Sequence, residues 1–277
     1  MMMSMRITVI VAMLVASPSW GQELRGSLVV FVVSDRADYV VIGAESRTVD
    51  GDNKPVDDRA CKIISLGGDT LFYETGNSEL GDQHGKHWNS NGAARAVYAT
   101  ARNRDAQSLS LAWGNKALTW FYRASLDHDL GKVAEGKTGN LVSGGFINFD
   151  KNGSLSVHSA QISYDVAKRA LNFEPTSQGP GQVGISGVGK DLVVEFNEGK
   201  TFRAATALGT VGVKQDAAHD IAFVQKAIKF AMDNAVGKDK TALGGDIDVA
   251  IIRSHRTIQW IARKPWCGEQ DLKQAVR

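Results

Sequence analysis

The 277-residue chain reads as an α+β protein built of antiparallel sheets with segregated helices. Three observations predict that class. Short apolar, β-branched runs come in pairs joined by turn residues, which is the pattern of hairpins. The order along the chain is strands, helices, strands, helix, strands. Hairpins stand where a doubly wound fold would need strand-helix-strand crossovers.

Leu28 to Val33 (LVVFVV) and Tyr39 to Ala44 (YVVIGA) are continuously apolar, so both are expected to be strands covered on two faces, with Ser34 to Asp38 as their turn. Lys62 to Leu66 and Leu71 to Thr75 make a second hairpin around Gly67-Gly68-Asp69. Asn77 to Asn91 is polar and reads as a loop. Gly92 to Arg102 and Ala106 to Leu126 carry Ala, Leu, Arg and aromatics at helical spacing. Strands return at Leu141 to Phe149 and Leu155 to Tyr164 about the turn Asp150-Lys151-Asn152-Gly153, and the glycine-rich stretch Gly179 to Gly189 follows. The clearest helix is Asp216 to Ala235, where Ile221, Val224, Ile228, Met232 and Ala235 share one face. Strands at Ile247 to Ile252 and Thr257 to Ala262 close the chain. Neither a repeat nor a linker divides it, so residues 22–277 are expected to be a single domain.

The first 21 residues have the form of a secretory signal peptide: a positive start ending at Arg6, the apolar run Ile7 to Val15, and small residues Ser19 and Gly21 before a cleavage point at Gln22. Nine apolar residues are less than half the roughly 20 that span a bilayer. The mature protein is therefore expected to be exported, periplasmic or extracellular, with no membrane association once the leader is removed. Hydrophobic residues make up 43% and charged residues 22%, an ordinary globular composition. A net charge of +2 argues against nucleic acid as a partner. Two cysteines, Cys61 and Cys267, exclude a disulfide-stapled miniature, and an oxidising compartment would permit one bridge between them.

Several motifs look chemical and read otherwise. Gly179 to Gly184 matches the letters of a dinucleotide fingerprint, but Pro175 and the polar run before it argue against the strand that motif needs. Gly184 to Lys190 nearly completes a phosphate-binding loop, yet Asp191 stands where a hydroxyl must reach magnesium. Position 188 is valine, which denies Ser186 a nucleophile elbow. Asp82, His84 and His87 lack a further zinc ligand and read as solvated loop residues, and Asp127, His128 and Asp129 as a helix end facing water.

The specific stretch is Gly26 to Gly76. It runs Gly-Ser-Leu-Val-Val-Phe-Val-Val, then Val-Val-Ile-Gly-Ala-Glu-Ser-Arg-Thr, an acidic loop, Cys-Lys-Ile-Ile, and Tyr-Glu-Thr-Gly. It resembles the start of the proteasome β-subunit family of N-terminal-nucleophile (Ntn) hydrolases. There a Gly-Thr junction opens the first strand, Ala-Asp-Ser-Arg ends the second and Lys-Ile begins the third. The interval of 14 from Lys62 to Gly76 also matches. The resemblance implies a four-layer α/β/β/α sandwich over most of Gly26 to Ala262, its specific motifs lying in the first fifty residues.

It also implies a chemistry. A hydroxyl residue freed as the first of the chain uses its own α-amino group, pKa roughly 8, as the base. A lysine stabilises developing charge and an acid holds that lysine. Carried onto this sequence, the nucleophile is Ser27 in place of threonine, the acid Glu45 in place of aspartate, and the lysine Lys62. Ser186 and Asp239 fall near the family's supporting serine and aspartate. The expected activity is hydrolysis of a peptide or amide substrate after a cut between Gly26 and Ser27. It calls for no cofactor and no metal, and leaves homo-oligomer formation open. The alternative is a catalytically inactive binding or assembly protein of the same fold, in which Ser27 is only a strand residue and Glu45, Arg47 and Lys62 are a structural ion-pair network.

Overall fold

The computed structural model describes residues 26–268 apart from 51, 68, 82–85, 128–129, 131–138, 151, 199–215 and 255–256. The expected signal peptide, its cleavage point, and Asp82, His84, His128 and Asp129 lie outside the described residues.

Two five-stranded antiparallel sheets and a set of helices make an α+β fold. The first sheet has the order β12-β1-β2-β13-β14, from β1 (Leu28–Val33), β2 (Tyr39–Ala44), β12 (Val183–Gly187), β13 (Asp248–Arg253) and β14 (Gln259–Ala262). The second has the order β11-β10-β9-β6-β5, from β5 (Ile63–Ser65), β6 (Thr70–Gly76), β9 (Asn140–Phe149), β10 (Leu155–Asp165) and β11 (Ala170–Ser177). Two small ribbons complete the strands: β3 (Thr48–Val49) with β4 (Pro55–Asp57), and β7 (Glu79–Gly81) with β8 (His87–Asn89).

Why β1 and β2 lack polar residues follows from their surroundings. Successive strand side chains point to opposite faces. On β1, Leu28, Val30 and Val32 enter a core with Val224, Ala227 and Ile228 of helix α4 (Ala217–Asn234) and Val193 of α3 (Lys190–Glu198). Val29, Phe31 and Val33 enter another core with Leu71, Tyr73 and Ile147 of the second sheet. Both faces are dry, so alternation with polar residues would bury unpaired groups. The second sheet repeats the arrangement, with Phe72 and Phe146 packing on Trp113 and Phe121 of α2 (Ala106–Asp127) and Ala93 and Ala94 of α1 (Ser90–Thr100).

The structure adds elements to the sequence reading. The polar Asn77 to Asn91 stretch holds β7, β8 and the start of α1, whose first turn is capped by the Asn89 side chain accepting from the Gly92 N–H. A strand, β11, does precede Gly179, with Pro175 on a sheet edge where no partner needs its missing N–H, but strand β12 follows instead of a helix. Helix α4 turns its buried face around Phe223, Val224, Ala227, Ile228 and Ala231, leaving Ile221 and Met232 only partly covered. A short helix α5 (Gly237–Ala242) leads toward β13. Cys61 and Cys267 are joined, tying the start of β5 to a helical turn at the end of the described chain. No helix among the described residues is long and apolar enough to cross a membrane.

Candidate functional site around Ser27, Glu45 and Lys62

Three of the residues singled out in the sequence meet where β1 begins, β2 ends and β5 begins, and Ser27, Glu45 and Lys62 are each wholly buried. The chain reaches Ser27 through Gly26, whose φ of +94° is a conformation that favours glycine. The Ser27 hydroxyl donates to the Gly26 carbonyl, the acyl half of the peptide bond that precedes it. The Ser27 carbonyl accepts from the Val188 N–H at 2.8 Å. Gly187 makes that approach feasible, since a Cβ there would lie 1.8 Å from the Ser27 oxygen.

Glu45 sits just past β2 and is gripped by backbone. Its Oε1 accepts from Leu28 N–H at 2.9 Å, and its Oε2 from Arg47 N–H at 2.7 Å and Gly244 N–H at 3.4 Å. Burial pushes the carboxyl up to about 7, against the opposing pull of Lys62 and the three amides. The Gly244 loop is held in turn by Arg47, whose guanidinium donates to Leu243 O at 3.2 Å and to both Asp58 oxygens at 2.7 and 2.9 Å. The Arg47 partner holds the Asp58 carboxyl below the usual carboxylate range.

Lys62 is among the largest fully buried side chains, yet its ammonium has no hydrogen-bond partner among the described residues. Its charge is felt by two carboxylates, Glu45 and Glu74. Glu74 on β6 is also pushed up to about 7 by burial, with Lys62 opposing. An ammonium without hydrogen bonds, facing two buried carboxyls, is an unsatisfied polar cluster of the kind structural cores avoid.

Ser186 lies opposite Val29 in the β12–β1 register, and its hydroxyl is 2.7 Å from that of Thr75. The pair therefore stands two residues along the register from Ser27, bridging the two sheets. Asp239 is exposed on α5; the charge it faces is Asp191, and its carboxyl is raised first by burial and then by that neighbour. The structure thus groups Ser27, Glu45, Lys62 and Ser186 and places Asp239 at the surface. His87 is exposed on β8, apart from this group.

Other members were not anticipated. Asp248 opens β13 opposite Ala44 and accepts from Lys264 Nζ at 2.9 Å, Lys264 N–H at 2.8 Å and Arg263 at 3.2 Å. Burial lowers the Lys264 pKa, opposed by Asp248 and Glu45. Lys264 Nζ also donates to Ala60 O at 3.0 Å, next to the disulfide. Glu74 and Asp248 each carried one legible signal, a carboxylate inside an otherwise apolar strand run, LFYET and IDVAII; Lys264 carried none, since its partners are distant in sequence. Beside Glu74 and Cys61 opens a polar cleft of about 400 Å³, lined also by Asn91, Arg59, Arg95 and Glu79. No protein-family model matches the chain, and no curated protein does.

Proposed function

We propose that the protein is an exported hydrolase of the four-layer α/β/β/α Ntn type, acting on a peptide or amide bond through Ser27 once the Gly26–Ser27 bond is cut. The observation that carries the reading is Lys62: a buried ammonium without a hydrogen-bond partner among the described residues, facing Glu45, whose carboxylate is hydrogen-bonded to the amide one residue after Ser27. A helix layer outside each of two packed sheets accords with the fold proposed.

The hydrogen bond from Ser27 to Gly26 O suggests how the cut arises. Oγ attacks the Gly26 carbonyl carbon, its proton passes to the Ser27 nitrogen, the C–N bond breaks, and an ester remains. Water hydrolyses the ester, leaving Gly26 as a carboxylate and Ser27 with a free amine. That amine then takes the Oγ proton as Oγ attacks a substrate carbonyl, and water releases the acyl group. Lys62 offsets the negative charge that develops in each step.

The test is mass spectrometry of the exported protein's first residues, combined with turnover of a fluorogenic amide library. A chain beginning at Ser27, with activity lost in Ser27→Ala, supports the enzyme. A stable protein beginning upstream overturns this mechanism, because an acylated nitrogen is no base. The second reading, a silent binding or assembly protein outside the cytosol, is favoured by one fact: Ser27 is wholly buried with Gly26 ahead of it.

A further inference from the structure

Helix α2 carries a pattern that the Ser27 site does not use. Lys116, Trp120 and Arg123 fall at successive turns of the helix, so they share one face, with the indole one turn from a cation on either side. Both cations are exposed, and Trp120 is half-buried. That face, the start of α1 and Trp88 of β8 enclose a groove of about 620 Å³. From α1 it takes only small residues, Gly92, Ala93 and Ala96, which leaves room beside the indole. The apolar wall is fixed in place: Trp88 is 3% exposed, and its ring centre lies 5.8 Å from Trp113, 5.9 Å from Phe121 and 6.2 Å from Trp120. A flat ligand can cover such a surface without the protein reorganising.

The charges in the groove have one sign. Among the described residues that line it, the ionisable ones are Lys116, Arg123 and His87, with no carboxylate. Neither Lys116 nor Arg123 makes a side-chain hydrogen bond, an ion pair or a ring contact among the described residues. Over their whole length α1 and α2 set Arg95, Lys116 and Arg123 against one acid, Asp127 at the last position of α2. Glu79 accepts from the Asn89 side chain at 2.8 Å and lines the polar cleft instead. Apolar rings flanked by two uncommitted cations match a ligand that is apolar over its body and anionic at its edge. An arginine receives a carboxylate on two parallel N–H bonds, and a lysine adds a point charge.

We propose that this groove binds a small organic anion, a carboxylate on a flat apolar body, with the body against Trp120 and Trp88 and the carboxylate received by Lys116 and Arg123. The groove belongs to the helix layer over the second sheet, and its ligand is independent of the hydrolase reading.

Calorimetry on the whole mature chain near neutral pH measures the binding without any turnover. The probes are naphthoate and its neutral isostere naphthamide, which differ in charge and little in shape. Saturable binding of naphthoate, with naphthamide weaker by about tenfold or more, is expected. The double substitution Lys116→Gln and Arg123→Gln is expected to lose about tenfold for naphthoate, and Trp120→Ala to weaken both probes. Lys226→Gln on α4, which packs on the first sheet, should stay within about twofold. Equal binding of the two probes, no saturation of naphthoate below about 10 mM, or full retention in the double variant overturns the site. Sedimentation of the ligand-free chain tests the other occupant: a dimer that Trp120→Ala disperses makes the groove an interface between copies and overturns the proposal too. If Trp120→Ala does not fold, the substitutions at exposed Lys116 and Arg123 and the probe pair still decide.

Discussion

Replacing Lys62 with methionine tests the electrostatic account of the site most directly. The substitution keeps all but the last atom of the side chain and removes an ammonium that is wholly buried and makes no hydrogen bond among the described residues. Lys62 lowers the pKa values of Glu45 and Glu74, each of which burial has raised to about 7. An acid whose folded pKa lies above its unfolded value binds more protons in the native state. Its stabilising contribution is present below the unfolded pKa, near 4.5, and is lost as pH rises through the folded value near 7. Without Lys62 both carboxyls rise further, so the loss continues above pH 7. A rise of one unit in each corresponds to ~1.4 kcal/mol per carboxyl. Lys62→Met is therefore expected to be about 1 to 3 kcal/mol less stable, relative to wild type, at pH 8 than at pH 5. Near pH 5 it should lose little, because a charge without hydrogen bonds has left the core. The assay is equilibrium urea unfolding at pH 5, 6.5 and 8, followed by tryptophan fluorescence, with fully buried Trp113 as a reporter. The same destabilisation at all three pH values would refute the reasoning, since Lys62 would then be a packing residue with no hold on the carboxyls.

Further expectations concern the scaffold. Converting both Cys61 and Cys267 to alanine opens a link across 206 residues, and is expected to cost about 2 to 5 kcal/mol in thermal unfolding. Gly187→Ala drives a methyl to within 1.8 Å of the Ser27 carbonyl at a φ of +101°. It should destabilise by roughly 3 kcal/mol or more, whereas Gly179→Ala at a half-buried position, where a Cβ would meet nothing within 4 Å, should be neutral on the same thermal assay. Arg47→Ala removes the two hydrogen bonds to Asp58 and the tether to Leu243 O, and the Glu45 clamp loosens. A loss of about 1 to 2 kcal/mol by denaturant titration is expected, with any amidase activity falling further than stability alone explains. Ser186→Ala leaves the Thr75 hydroxyl without its partner at 2.7 Å, for which about 1 kcal/mol is expected by the same titration.

Much of the architecture could be read directly from side-chain pattern. β1 and β2 were legible because a strand dry on both faces must be apolar throughout, and LVVFVV and YVVIGA are. The long helix α4 was legible from its period, although its buried face includes Asp220, which the pattern alone would have put in water. That carboxylate is 2% exposed because it accepts from Tyr39 OH at 2.8 Å, a partner 181 residues away. β11 was hidden because an edge strand with an exposed face tolerates Glu174 and Pro175. β12 was hidden because its glycines fit under other groups: a Cβ on Gly184 would fall 1.9 Å from Phe31.

The candidate site divides along the same line. Ser27, Glu45 and Lys62 stand at the junctions of strongly patterned strands, so the hairpins that carry them were legible in the local sequence, while the three residues themselves were singled out by the resemblance alone. Tertiary packing alone decided that Glu74 feels the charge of Lys62, that Asp248 and Lys264 form a buried pair beside Glu45, and that Cys61 joins Cys267. The physical reason is range. Backbone periodicity is written in neighbours two to four residues apart, whereas a buried charge finds its partner only when two sheets and a distant helical turn close around it.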